Sequence, residues 1–148
     1  MLADAKGTVA GKGKNQVVPL QQILDEGLEE GEFLVQIHVH QSFVKLPFST
    51  IKRTRMSKVG YPIVTVAALL KDHTVRVAFS GMREFPFRSE EIESLLNDST
   101  IAKEQRIHQI IDLLPGPVVQ DIHATAEYRK FVLENVLDDT LEALEETR

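Results

Sequence analysis

The sequence predicts an α+β fold: a small antiparallel sheet of about three strands, covered on one face by helices. Three observations carry this. Apolar residues alternate in the first half, at Phe33, Val35, Ile37, Val39 and again at Val75, Val77, Phe79. They recur at helical spacing in the second half, at Ile107, Ile110, Ile111, Leu114 and at Tyr128, Phe131, Val132, Leu137, Leu141, Leu144. Between the halves, the nearly continuous apolar run Pro62–Leu70 returns as Thr74–Phe79 across Lys71-Asp72-His73, which reads as an antiparallel hairpin. Strands first and helices after mean helices gathered on one side of a sheet.

Residues 3–18 read as two short strands around a glycine-rich turn, because Gly7, Gly11 and Gly13 punctuate them and Gln16-Val-Val is extended. Leu20 to Asp25 makes a single helical turn, and Gly27 and Gly31 bracket a loop. The strand from Glu32 to His40 should turn Phe33, Val35, Ile37 and Val39 to one side. Leu34, Gln36, His38 and His40 then take the other. Phe43 to Ile51 is a second strand, kinked or edged at Pro47. Ser89 can cap a short helix carrying Ile92, Leu95 and Leu96. A helix over 100–114 ends at Pro115-Gly116-Pro117. The last helix starts near residue 125, with Thr125 as its cap and Glu127 where the helix dipole favours an acid.

The chain has 148 residues and a net charge of −5. That length buries a core without help from metals or disulfides. There is no cysteine, so disulfides, iron–sulfur clusters and thiolate metal sites within the chain are excluded. No apolar stretch reaches membrane-helix length, and Met1-Leu-Ala-Asp-Ala-Lys lacks a signal-peptide core. The expectation is a cytoplasmic protein without a membrane span. Charge is uneven: Phe33 to Lys71 holds no Asp or Glu but six bases, Lys45, Lys52, Arg53, Arg55, Lys58 and Lys71. Few aromatics interleave Lys52–Lys58 and no recognition motif accompanies them, so no nucleic-acid partner is expected.

The stretch Asp121-Ile-His-Ala-Thr-Ala-Glu-Tyr-Arg-Lys resembles the last-helix signature of the FAD-binding (medium) subunits of molybdenum hydroxylases, the xanthine dehydrogenase and carbon monoxide dehydrogenase family. Further elements in the same order extend the resemblance. Phe48-Ser-Thr-Ile-Lys52, with Arg55 after it, is similar to an aromatic-x-x-x-Lys element. Ala78-Phe-Ser-Gly-Met and Phe85-Pro-Phe-Arg-Ser are similar to a strand ending in glycine and a following Pro-x-Arg segment. Val18-Pro-Leu, Gly31-Glu-Phe-Leu and Val35–Val39 resemble the end of the family's FAD-binding domain. The resemblance implies residues 1–42 as the C-terminal remnant of an FAD-binding domain and 43–148 as a carbon monoxide dehydrogenase flavoprotein C-terminal-like domain.

It further implies FAD as cofactor, with Lys52 approaching the flavin and Leu34 packing against it. A cation there would stabilise the anionic reduced ring. The implied partners are a molybdenum-cofactor subunit and an iron–sulfur subunit, with self-association left open. The family's two Gly-rich phosphate loops have no counterpart here. Gly7-x-x-x-Gly11-Lys12-Gly13 is one residue too short for a P-loop, and Gly13 stands where a magnesium-binding hydroxyl is needed. The expectation is a truncated or divided flavoprotein, inactive alone and not retaining FAD, that supports flavin-mediated electron transfer. The alternative is a non-catalytic interaction module of the same fold.

Other candidates have simpler readings. Arg53 and Arg55 could face a phosphate or an acidic partner, or be surface charge. His38 and His40, two apart on one strand, would turn both rings to one side, but no third metal ligand is near in sequence. No Gly-x-Ser-x-Gly elbow occurs. Tyr128 is expected buried, Arg129 paired with a loop carbonyl or Asp121, and His123 helping to cap the last helix.

Overall fold

The computed structural model describes residues 1–55 and 60–146. The chain divides into two compact units, Met1–Leu46 and Pro47–Arg148, and Lys58 lies outside the described residues.

In the first unit, β1 (Lys6–Gly11) and β2 (Lys14–Pro19) form a hairpin, and β3 (Phe33–His38) pairs with the other edge of β1. The order is β2-β1-β3, all antiparallel. The short helix α1 (Leu20–Glu26) packs on β1 and β2. Gly7 makes this contact: a Cβ there would meet Ile23 Cδ1 at 2.6 Å and Leu34 Cδ1 at 2.7 Å. A side chain there would push both methyls aside, so glycine lets a helix residue and a β3 residue close over the central strand.

One expectation fails on β3. Thr8 pairs with Gln36 but Val9 pairs with Leu34, leaving Val35 in a bulge. A bulge inserts one residue and shifts the side-chain alternation. Leu34 and Ile37 therefore share the side of Gly7 and Val9, whereas unbroken alternation would part them. The histidines separate as well. His38 ends β3 and its Nε2 lies 2.6 Å from Thr8 Oγ1. His40 lies beyond the strand and accepts from the Ser42 amide, capping a single 3-10 turn at Gln41–Phe43.

In the second unit, β4 (Phe48–Thr54), β5 (Pro62–Lys71) and β6 (Thr74–Ser80) form an antiparallel sheet in that order. The first strand starts five residues later than the sequence implies, after Pro47, which has no amide to give a ladder. The β5–β6 hairpin closes on Asp72 and His73, both with positive φ (50° and 63°), the backbone of a two-residue type I′ turn. Three further helices follow: α2 (Glu90–Leu96), α3 (Lys103–Ile110) and α4 (Ala126–Glu145). The second is shorter than the expected 100–114. The last packs across β4 and β5, α2 lies beside β6, and α3 joins α2 to α4.

The core lies between α4 and the sheet. Val64, Val66 and Val77 from the strands and Leu133, Val136 and Leu137 from the helix are fully buried. Each contributes about 1.5–3 kcal/mol relative to exposure. The buried face of α4 keeps Leu137, Leu141 and Leu144 of the expected stripe and departs from it in the first turns. Arg129, Leu133, Val136, Leu137, Thr140, Leu141 and Leu144 face inward, while Tyr128 and Phe131 stay 48% and 62% exposed.

The free margin of β6 is closed by side chains. Val75 N–H donates to Asn97 Oδ1 at 2.8 Å and Asn97 Nδ2 donates back to the Val75 carbonyl at 2.8 Å. Val77 N–H donates to the buried Glu93 Oε1 at 2.8 Å. Phe79 and Phe87 exchange both backbone bonds at 2.9 and 3.0 Å. Arg88, from the Pro-x-Arg segment, neutralises Glu93 through a fork at 2.6 and 2.7 Å. A carboxylate that accepts a strand amide while buried needs such a partner.

Candidate functional site

One end of the β4-β5-β6 sheet is fixed by α4. Asp121 forms a turn ahead of the helix by accepting the His123 and Ala124 amides at 2.8 and 3.0 Å. Thr125 Oγ1 then accepts the Tyr128 amide at 3.2 Å and caps α4, as expected. Arg129, one turn on, is 2% exposed and points inward. Its Nη2 donates to Asp121 Oδ2 at 2.7 Å, and its Nη1 donates to the carbonyls of Ile63 and, at 2.9 Å, Gly81. Both expected kinds of partner are present at once.

Those carbonyls sit at the start of β5 and just past the end of β6. Gly81 has φ 86°, and a Cβ there would lie 2.3 Å from the Ile63 carbonyl oxygen. Only glycine lets the two backbones come close enough for one guanidinium to bridge them. The third strand is tied to the same helix by an Arg53–Asp139 ion pair. The His123 and Ala124 amides, with Arg129 adding to them, hold the Asp121 carboxyl below its ordinary value.

Lys52 lies on β4 one residue before Arg53, so it takes the opposite face of the sheet, away from α4. It pairs in register with Thr65 of β5 and is exposed. Among the described residues its ammonium has no hydrogen-bond or ion-pair partner. Leu34 belongs to the first unit, over Gly7 on β3, and is 36% exposed. Arg55 reaches the Ile122 carbonyl at 3.5 Å, the outer limit of a hydrogen bond.

Two corrections concern the aromatic residues here. The Tyr128 ring is not buried, because Arg129 occupies the inward position beside it. His123 does not cap α4. Its ring stacks on Tyr61, 5.7 Å between centroids and 24° between planes, and Asp121 and Thr125 do the capping. Tyr61, Ile122, Tyr128 and Phe131 remain 48–88% exposed. The sequence held no clear signal for the Tyr61–His123 stack, since the two residues are 62 positions apart. Glu93 had one: it interrupts an otherwise apolar helix face next to Ile92.

FAD would meet two kinds of residue. Toward a flavin ring each unit has one side chain of suitable chemistry, the unpaired Lys52 in the second unit and the half-exposed Leu34 in the first. Toward the phosphates, Gly7 is covered by the Ile23 and Leu34 side chains rather than open to a ligand, and the family's Gly-rich loops have no counterpart in the sequence. No group of acids and histidines able to hold a metal occurs among the described residues. No helix among them is long and apolar enough to cross a membrane.

Residues 49–144 match the family model described as the CO dehydrogenase flavoprotein C-terminal domain. Quinoline 2-oxidoreductase from Pseudomonas putida 86 superposes with a TM-score of 0.79 at 19% identity, over 98% of this chain and 54% of that one. Carbon monoxide dehydrogenase from Hydrogenophaga pseudoflava gives a TM-score of 0.80 at 18% identity, with coverages of 98% and 54%. The reconstituted enzyme from Oligotropha carboxidovorans gives 0.80 at 17%, again over 98% and 54%. The chain thus spans about half the length of these structures, and at such identities the likeness is one of fold. No curated protein sequence matches. Through residues 49–144 the chain belongs to the CO dehydrogenase flavoprotein C-terminal domain family, the C-terminal domain of the FAD-binding subunit of molybdenum hydroxylases.

Proposed function

We propose that the chain supports flavin-mediated electron transfer in a molybdenum hydroxylase of the carbon monoxide dehydrogenase or xanthine dehydrogenase type. Residues 1–42 are then the end of the FAD-binding domain. FAD, when bound, supplies reversible two-electron and one-electron chemistry. The chain's own residues bind and tune it. Lys52 sets a positive charge beside the ring, favouring the form that has gained electrons, and Leu34 covers an apolar part of the ring. The Arg129–Asp121 clasp and the Arg53–Asp139 pair hold the strand ends that carry Lys52.

The observation that carries this reading is Lys52, exposed and without a partner among the described residues, next to Arg53, which pairs with Asp139 of α4. Since the described residues supply no phosphate loop, the chain alone neither retains FAD nor turns over. Its partners are then a molybdenum-cofactor subunit and an iron–sulfur subunit in the cytoplasm. The test is FAD titration of the chain, first alone and then co-expressed with a family FAD-binding polypeptide carrying the phosphate loops. A yellow complex only in the second case is the expected result. If both stay colourless, the flavin role fails.

A second reading rests on the exposed Tyr61, Ile122, Tyr128 and Phe131. Exposed aromatic clusters mark protein interfaces, so the fold could serve docking alone. Capture of a molybdenum or iron–sulfur subunit without flavin favours it.

A further inference from the structure

The sheet register sets three polar side chains in one row beside the clasp. Lys52 of β4 pairs with Thr65 of β5, and Thr65 pairs with Ser80 of β6. Paired residues point to the same face of a sheet, so all three take the face opposite α4. Their neighbours on the other face are Val64, Val66 and Phe79, each no more than 1% exposed. Thr65 and Ser80 are half-buried, and among the described residues neither hydroxyl has a hydrogen-bond partner.

Adjacent strands lie about 4.8 Å apart, so the row spans roughly 10 Å. That is comparable to the long dimension of a fused three-ring heterocycle. The row is also held at both sides of its end. Ile63, two residues before Thr65, and Gly81, next to Ser80, give their carbonyls to Arg129.

We infer that Lys52, Thr65 and Ser80 form one hydrogen-bonding rail for the carbonyl-bearing edge of a planar, electron-accepting ring. The inference rests on the flavin reading of Lys52 and adds two positioning residues to it. The ammonium supplies charge. The two hydroxyls donate to ring oxygen or nitrogen and set the angle at which the ring meets the lysine. A hydroxyl can rotate between donating and accepting, so the rail serves both oxidised and reduced rings, and it holds the anionic reduced ring more tightly.

The experiment uses the full chain, labelled for NMR, titrated with FMN, oxidised and then reduced, and separately with inorganic phosphate. Expected are shifts at the Lys52, Thr65 and Ser80 amides, larger with reduced FMN and absent with phosphate. The Thr65→Val/Ser80→Ala double variant should bind FMN roughly fivefold more weakly, the loss of about one net hydrogen bond. Unchanged signals from Leu133 and Leu137 show that the variant folds. If FMN shifts Lys52 but the double variant binds as well as the parent, the rail is wrong and the flavin reading stands. If phosphate alone reproduces the shifts, the row is an anion site and the rail is wrong. If FMN leaves Lys52, Thr65 and Ser80 unmoved up to its solubility limit, the rail is wrong, and the flavin reading is decided separately by the co-expressed pair.

Discussion

The two units are built from the same kind of sheet and differ in what the sheet encloses. Each has three antiparallel strands with its hairpin strands adjacent. Of the twenty-one buried apolar residues among those described, only Ala5 and Val9 belong to the first unit. That unit instead exposes Val17, Phe33, Val35, Ile37 and Val39 by 50–60%. The second unit lays a 20-residue helix over its strands and closes its β6 margin. Strand regularity and core formation are thus separate properties. Backbone pairing alone gives little net stability, and the larger gain comes from burying apolar area.

The contrast can be broken most severely at Arg129. Arg129→Met should cost the second unit about 3–4 kcal/mol, because it takes the donor away from the Ile63 and Gly81 carbonyls. Urea unfolding followed by amide exchange at β5, β6 and α4 reads this, and a loss under about 1 kcal/mol would show that the clasp is ornamental. Leu137→Ala comes next at about 3 kcal/mol, from a cavity in a site with no solvent access. Gly81→Ala should cost about 2 kcal/mol, through strain at positive φ and a backbone clash. Thermal melts that leave this variant unchanged would mean that the Ile63 and Gly81 backbones can part freely.

Acid sharpens the comparison further. Asp121 titrates below its ordinary value of 3.8 in the folded chain, so its stabilising share is complete above that value. It is lost as pH falls through the lower folded value. An acid titration should therefore loosen the turn before α4 only in that low range. Asp121→Asn, which cannot titrate, should show no such limb. The smallest effect belongs to the first unit. Val35→Ala should change stability by no more than about 0.5 kcal/mol, as for any exposed site. A larger loss would reveal burial that the exposed bulge does not show.

Much of this was legible in the residues. The β5–β6 hairpin, the Ser89 and Thr125 caps and the strand-then-helix order all follow from local patterns. The misreading on α4 has one cause: a polar residue in an inward position. Arg129 and Thr140 lie on the buried face of α4, while Tyr128 and Phe131 lie outside it. A periodicity that sorts residues by hydropathy then follows the right stripe through Leu137, Leu141 and Leu144 and the wrong one in the first turns. Arg129 tolerates burial only because Asp121, Ile63 and Gly81 come to meet it, and these partners are 8, 66 and 48 positions away. Thr140 tolerates it by donating to the Val136 carbonyl at 2.6 Å. The β3 bulge is similar, since whether Val35 drops out of register depends on β1, which the strand's own residues do not encode. For the candidate site, Lys52 stood out by motif. Thr65 and Ser80 did not, because their alignment is a matter of register across three strands.

The margin of β6 has an implication for how such a sheet can be reused. With Asn97, Glu93 and Phe87 occupying every outward amide from Val75 to Phe79, no further strand can be appended on that flank. Fibril growth and grafted hairpins are barred there alike. Any added strand, and any engineered extension, has to enter past β4, next to the helix-tied Arg53 and the exposed Lys52.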